Sequence, residues 1–448
     1  MRFVYTVVLA SATLAFSPLL QAAPWVKTED QFLQQSIQLL ANAGLIKTPV
    51  NTWPLMWQPI LQDLAQIDTQ GLTDAQLHAY LRIKSAAGFA QQDRINSLTL
   101  SGSNEALGPR GAGNQYHQEA MLSLGAELKD NNWTAAVYKQ FRRDAYDANS
   151  FSDNDTHWDG SYGAYTAGNW VMLAAIHQQW WGPAIHSSFN FNNQQRPAKS
   201  LQISRLNPNL PLHQSLSALG AVQFNLQYGE FAGTAPTRHA TYLASRIGLK
   251  PLTTLEVGLS GRKLQPKPEQ QAISEPFYQQ LPQQDITTLG LDLRYHLNNQ
   301  TALYAEYSSQ RSDETASGWL VGGQYHLGNE FVLLRFFSEY QHIAADYNQW
   351  LFIQPGQIQA AIKNEWVAGV QITTPSGESG YLKFSKTSSQ LNPAQPELLV
   401  DPAAIHAGYQ RPLLSGLVSI DYQLQRAKQY VDTTELNHAV GVRWEWRW

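Results

Sequence analysis

The last eleven residues, His438-Ala439-Val440-Gly441-Val442-Arg443-Trp444-Glu445-Trp446-Arg447-Trp448, constrain the fold more than any other segment. Side chains on a strand alternate faces with period two. Trp448, Trp446, Trp444, Val442 and Val440 therefore share one face, and Arg447, Glu445, Arg443, Gly441 and Ala439 share the other. A soluble edge strand rarely sets three tryptophans against Arg, Glu and Arg at a chain terminus. A membrane barrel asks for that pattern: lipid outside, a polar lumen inside and aromatic rings near the interface.

Only 15% of the 448 residues are charged and 11% are aromatic. A helical membrane protein needs apolar runs of about 20 residues, and the sequence has one such run, at its start. Arg2, the apolar stretch Phe3 to Leu20 and then Gln21-Ala22-Ala23-Pro24 read as a secretory signal peptide, with cleavage after Ala22 removing residues 1–22. Cysteine is absent, so an exported chain of this kind holds together by hydrogen bonding and packing without disulfides. Barrel closure suits that, because it pairs every strand and leaves no edge. The net charge of -4 gives no electrostatic footprint for nucleic acid.

From Trp25 to about Arg94 the apolar period is helical. Thr28-Glu29-Asp30-Gln31 reads as a capping box, Phe32, Ile37, Leu40 and Ala43 follow the 3.6 period, and Gly44 suits the position after the helix end. A second helix is expected from Trp57 to Ile67, with Pro59 in its first turn. A third starts at Thr73 with Gln76 completing a capping box, and Gly88 marks its expected end. Residues 23–94 are thus expected to form a small periplasmic helical bundle, either a plug or cap or a docking module.

After Asn96 the period changes to two, and residues 95–448 read as an antiparallel transmembrane β-barrel of about eighteen strands, running from 95–104 to 437–448. The stretch 180–205, read as the strands 184–191 and 200–205, is the least regular. Connection lengths give an independent check. Lys129-Asp130, Lys250-Pro251-Leu252, Leu297-Asn298-Asn299-Gln300, Thr374-Pro375-Ser376-Gly377 and Pro412-Leu413-Leu414-Ser415 are short, while 143–166, 264–284, 342–364, 388–403 and 426–436 are long. Short and long connections alternate in a constant phase, as periplasmic turns and extracellular loops do.

The densest unusual segment holds Trp180-Trp181-Gly182-Pro183, then Asn192-Asn193-Gln194-Gln195-Arg196-Pro197 and Arg205. Trp-Trp-Gly-Pro does not fit a lipid-facing hairpin. One option is a segment folded into the lumen. Two readings of Trp180, Trp181, Asn192, Asn193, Arg196 and Arg205 stand. Rings and amides could receive a sugar, rings covering its C–H face and amides and guanidinium bonding its hydroxyls. Alternatively these residues lock the barrel interior, with Arg196 and Arg205 paired to lumen carboxylates.

Trp-Trp-Gly-Pro followed by Asn-(x2)-Arg-Pro resembles the Wzi family of outer-membrane capsule-assembly proteins. Ala43-Gly44-Leu45-Ile46 and Asn51-Thr52-Trp53-Pro54-Leu55 add to the resemblance, which runs over the whole chain in order. It implies an 18-stranded barrel in the outer membrane of a Gram-negative bacterium, above a periplasmic helical bundle. It implies a lectin-like protein that binds capsular or exopolysaccharide and helps attach it to the cell surface. Gln195-Arg196-Pro197 departs from the Ala-Arg-Pro common in the family, which puts local polar contacts in doubt. By the same resemblance Trp448 is an assembly signal, read by the outer-membrane barrel assembly machinery. A polysaccharide export partner is a further expectation for the helical segment.

Other constellations are weak. Asp153-Asn154-Asp155-Thr156-His157-Trp158-Asp159-Gly160 has loose Ca²⁺-loop spacing, but the ligand positions do not match, and a solvated acidic loop explains it better. His177 and His186 flank the tryptophan pair, and a His in a polar lumen is usually structural. No metal or cofactor is expected. Tyr146, Trp158, Phe277, Tyr278, Tyr347 and Trp350 are loop aromatics that could stack on sugars or pack the loops shut. Three functions follow from these features: a polysaccharide-binding surface protein, a sugar-selective porin-like channel, and an outer-membrane hydrolase. No nucleophile–base spacing supports the last, so the chain is not expected to be an enzyme.

Overall fold

On the strand Ile286–His296 every second residue is buried, and apart from Ile286 at its start and Gly290 the buried ones are polar. Thr288, Asp292, Arg294 and His296 are sequestered, while Leu289, Leu291, Leu293 and Tyr295 are exposed. This inversion of a soluble protein is what a wall between lipid and a filled lumen requires. In the computed structural model, residues 25–107, 111, 113–116, 118–145, 156–193, 196–231, 240–266, 285–312, 315–344, 347, 361–390, 399–400, 403–428 and 434–448 are described. The expected signal peptide, Gln195, Tyr146, Trp350, Phe277, Tyr278 and the acids 153–155 lie outside them.

The wall is one closed antiparallel barrel. Its strands begin with Arg94–Ser103, Gln118–Lys129 and Trp133–Ala145, then Thr156–His157 with Tyr162–Ala167, Trp170–His177 and Ala198–Arg205. Ala221–Glu230, Thr241–Leu252, Leu255–Gln265, Ile286–His296, Thr301–Arg311 and Thr315–Gly328 follow. Leu333–Ile343, Ala361–Thr373, Ser379–Gln390, Leu399–Val400 with Ala403–Leu413, Gly416–Lys428 and Thr434–Arg447 complete the ring. Counting each split strand once, there are eighteen among the described residues.

That number equals the sequence expectation through two offsetting differences. The stretch 184–191 is not a strand, and Tyr162–Ala167, expected inside the connection 143–166, is one. Its sequence Tyr-Gly-Ala-Tyr-Thr-Ala has small residues on both faces and so little apolar contrast. It pairs with Trp170–His177 nonetheless, Tyr162 opposite Ala175 and Ala167 opposite Trp170.

The terminal strand closes the ring against the first, with Gly441 opposite Ser103 and Arg447 opposite Ser97. Trp448 and Asn96 exchange backbone hydrogen bonds of 3.1 and 2.8 Å, so pairing extends to the last residue. The outward rings of Trp444, Trp446 and Trp448 stack in series, with centroid separations of 6.4 and 4.3 Å. The lumen-facing Arg443 sits 3.0 Å from Glu445, which also contacts Arg447.

Several inward glycines are covered by a ring from the directly opposed residue of the next strand. Tyr138 covers Gly125, Tyr242 covers Gly229, Tyr304 covers Gly322, Phe337 covers Gly369 and Tyr381 covers Gly408. A missing Cβ lets the ring lie flat on the neighbouring backbone, which fills a lumen corner without bending a rotamer.

Three helices close the end of the barrel that carries the short turns. Helix α1 (Gln31–Asn42) is capped by Asp30, whose carboxylate accepts the Leu33 N–H at 2.9 Å. The expected Thr28 capping box does not form, because the Thr28 hydroxyl donates to Gln178 O at 3.0 Å. The end is as expected. Gly44 has φ +72°, and Leu45 and Gly44 donate to Leu40 O and Ala41 O at 2.9 and 3.1 Å. Helix α2 (Trp57–Leu64) stops short of Ile67. Helix α3 (Asp74–Ala90) has the Thr73–Gln76 capping box, and it runs through Gly88 because nothing there forces a positive φ.

All twelve residues of α1 are buried. Ile37 and Leu40 join Trp57, Ile60, Ala79, Ile83, Leu333 and Trp180 in one apolar cluster. Its amides meet the wall: Arg335 donates to Gln38 Oε1 at 2.6 Å, Gln371 to Gln31 Oε1 at 2.8 Å and Arg294 to Asn42 Oδ1 at 3.1 Å.

The glycine–ring contacts are testable. A Cβ at Gly369 would sit 2.6 Å from a Phe337 ring atom. Gly369→Val is expected to destabilise the barrel by about 1–3 kcal/mol through overpacking. Urea unfolding in lipid vesicles measures it, and a variant as stable as the parent contradicts the account.

Candidate functional site

The lumen is the site that the sequence singled out, and chain fills it. Trp180 and Trp181 leave the wall and pair antiparallel with Trp53 and Thr52. Gly182 then lies against the Glu306 carboxylate, where a Cβ would come within 2.5 Å of Oε2. The chain crosses the lumen as an irregular segment and re-enters the wall at Ala198. Beyond that two-residue pairing the buried segment leaves backbone donors and acceptors to be satisfied, and each unsatisfied group costs free energy.

The wall supplies both kinds of partner. Glu339 accepts the N–H groups of Ile185 and His186 at 2.6 and 3.0 Å, and the Tyr304 hydroxyl at 2.7 Å. Glu306 accepts the Phe189 N–H at 2.9 Å. Glu256 accepts the N–H groups of Val50 and Asn51 at 2.9 and 2.7 Å. Arginines take the oxygens. Arg262 donates to Asn190 O and stacks over the Phe191 ring at 5.3 Å. Arg294 reaches Pro183 O at 3.5 Å. Arg246 donates to Thr52 Oγ1 at 2.6 Å and to Asn51 O at 3.3 Å, while a 2.6 Å ion pair with Asp292 neutralises it. Hydrogen bonds with one ionised partner are the strong ones.

The candidate residues fall into separate parts of this arrangement. Trp180 packs in the α-helical cluster, and its indole N–H donates to Ala184 O at 3.0 Å. Trp181 packs edge-on to Phe191 at 4.6 Å, in a cluster with Phe231 and Tyr242. Both rings are buried, at 4% and 1% exposure. Asn193 donates to Gly111 O, and Asn192 to Ser188 O at 3.4 Å. Arg196 sits 3.5 Å from Asp159 and contacts His157, and Arg142 holds the same carboxylate at 2.6 Å. Arg205, at the end of the wall strand Ala198–Arg205, meets no carboxylate among the described residues. It donates to Val222 O at 2.8 Å and to Leu210 O.

Trp158 is half exposed, with Lys139 Nζ 4.2 Å from its ring centroid. Lys139 shares a strand face with the exposed Val137 and Phe141, which puts Trp158 on the outer wall, where a membrane-interface belt forms. Tyr347 is buried. Its ring meets Phe189 at 5.8 Å, its hydroxyl meets Ser308 at 2.8 Å, and burial pushes the phenol up to about 12. Among the described residues no group of three His, Asp or Glu could hold a metal ion. Sequence reasoning missed the wall partners Glu256, Glu306, Glu339, Arg246, Arg262 and Arg294. Their only sequence signal is a charge at an inward position of an alternating strand.

The sequence model of the family described as capsule assembly protein Wzi matches residues 90–350. The chain belongs to the Wzi capsule-assembly family. An uncharacterised 55.8 kDa protein from the cps region of Klebsiella pneumoniae is 22% identical over 311 residues, 67% of this chain and 60% of that protein. This chain thus matches less than two thirds of that relative's length. A solved structure is similar at TM-score 0.75 and 16% identity, covering 94% of this chain and 98% of the other. It is described as Wzi, an outer-membrane protein involved in group 1 capsule assembly in Escherichia coli and a carbohydrate-binding β-barrel. The family and the barrel place this chain in the outer membrane.

The carboxylate grip predicts a conductance change. Glu339→Ala removes the acceptor of two crossing-segment amides. In planar bilayers the parent is expected to be nearly silent, and the variant to conduct while keeping heat-modifiable migration. A variant as silent as the parent would show that Glu339 does not hold the segment.

Proposed function

We propose that this protein binds capsular or exopolysaccharide at its long-loop face and keeps it at the cell surface. The observation that carries the reading is the filled lumen: wall carboxylates and arginines are spent on the crossing segment and on α1, which leaves the outer face for a polymer. A sugar-selective channel would need that segment to leave. We assign Trp180, Trp181, Asn193, Arg196 and Arg205 to holding the interior rather than to sugar contact. Retention needs no catalytic step. A polymer that meets many copies of a weak site is held by avidity.

In this reading residues 1–22 are removed on export, and residues 23–94 face the periplasm, where a polysaccharide export partner would meet them. Residues 95–448 form the barrel. The carbohydrate-binding description of the E. coli Wzi structure supports the reading.

Two experiments test it. A deletion strain should shed polysaccharide into the medium, and purified protein should bind the host's own polysaccharide. A strain that keeps a normal surface layer counts against the proposal. The second concerns Trp448, whose backbone closes the ring with Asn96. Its deletion should lower the amount of assembled barrel, while barrels that do assemble bind polysaccharide as the parent does. Normal assembly without Trp448 removes its role as a signal to the assembly machinery.

A further inference from the structure

The connection 206–220 is the longest at the short-turn end, and it holds no Asp, Glu, Lys or Arg. Leu210, Leu212 and Leu216 on it are 50%, 49% and 44% exposed. Single exposed leucines are ordinary, but three together on one ordered, uncharged loop are not.

The loop is rooted on both sides. Arg205 donates to Leu210 O and to Val222 O, and Val222 N donates to Pro208 O at 2.9 Å. Asn207 exchanges hydrogen bonds with Asn169 at 2.7 and 3.0 Å. The turn of 3₁₀ helix Gln214–Leu219 is capped by the His213 ring, which accepts the Ser215 N–H at 3.3 Å. Gly220 ends it at φ +66°, where a Cβ would meet Lys250 O at 1.9 Å, so only glycine fits. These bonds satisfy part of the loop's backbone internally, and the remaining groups need water or headgroups, which keeps the backbone at the interface while leucine side chains reach further in.

The surroundings say what covers the leucines. The adjoining wall strands present Ile203 and Ile247 outward, and Trp170 packs edge-on to Phe224 at 5.9 Å. Other turns at the same end expose Leu252, Leu297, Phe331 and Leu414. The leucine loop therefore continues the lipid-facing wall, and its lack of charge suits no salt-bridged protein partner.

We propose that residues 206–220 are an interfacial wedge, with Leu210, Leu212 and Leu216 set among the acyl chains of inner-leaflet phospholipid beside the barrel. The wedge also sets the height of the helical segment. Asn207 donates to Gln62 at 2.6 Å, and Asn209 to Asp63 at 3.3 Å. Both partners belong to α2, so the membrane holds that helix through the loop.

The chain has no cysteine, so one introduced thiol labels one place. Leu212→Cys and Leu216→Cys, carrying an environment-sensitive fluorophore, would be compared with Ser376→Cys on a polar turn of the same end. The full barrel is reconstituted in phosphatidylethanolamine–phosphatidylglycerol vesicles. The leucine sites should show blue-shifted emission that brominated acyl chains quench, and the Ser376 site neither. None of the three positions touches the roots of the loop, and heat-modifiable migration verifies folding. Emission at Leu212 and Leu216 that brominated lipid does not quench overturns the proposal, whether the label then reports water, a second copy or another protein.

Discussion

The structure depends on one constraint: backbone amides placed inside a barrel must find partners that the wall provides. A strand in the wall bonds its neighbours and needs nothing else. The crossing residues 178–193 and the N-terminal stretch around Asn51 share one short pairing, Trp180–Trp181 with Thr52–Trp53, and otherwise lie outside the wall ladder. Glu256, Glu306 and Glu339 take their N–H groups, and Arg246, Arg262 and Arg294 take their oxygens. A buried charge is costly when left alone and becomes tolerable when hydrogen bonds and an opposite charge surround it. Wall and interior are therefore interdependent: the charges need the segment as much as the segment needs the charges. An empty barrel with this wall would leave several buried polar groups without partners.

The same dependence explains why aromatic rings and glycines recur on the inside. Polar bonds fix where the chain crosses, but they do not fill volume. Tyr304 shows how the two tasks combine. Its ring covers Gly322 on the next strand, and its hydroxyl donates to Glu339, the carboxylate that holds Ile185 and His186. Tyr381 repeats the device with Gly408 and Asp421. Packing and hydrogen bonding converge on the same side chains, so loss of one such ring would leave a void and take one hydrogen bond from the carboxylate.

Much of the wall was legible because alternation is a local property. The terminal strand, the turn phase, the Gly44 helix end and the Thr73 capping box each sit within a few residues of sequence. The interior was less legible because it is built from distant partners. Asn51 and Glu256, or Ile185 and Glu339, meet only once the ring is closed. The stretch 184–191 misled for a physical reason: Phe189 and Phe191 alternate with Asn190 and Asn192 as on a strand, yet in a lumen both faces are covered. Tyr162–Ala167 misled in the opposite sense, because small residues erase the alternation while the backbone still pairs. Tyr347 looked like a loop platform, but sequence position alone does not reveal that Phe189 comes up beneath it.

These features bear on how a barrel whose lumen is crossed by its own chain acts at a surface. Specific transport through a pore would require the interior groups to face a passing solute, and here they face the protein's own chain. In the proposed reading ligand contact belongs to the end with the long connections. Shallow sites bind weakly, because solvent competes for every hydroxyl-directed hydrogen bond. A polymer converts weak sites into retention only if many copies stand in one plane at one height. A closed wall braced from inside by the crossing segment offers such a frame. If the outer face holds a polymer as proposed, the interior lock would serve binding indirectly, by fixing the frame that carries the loops.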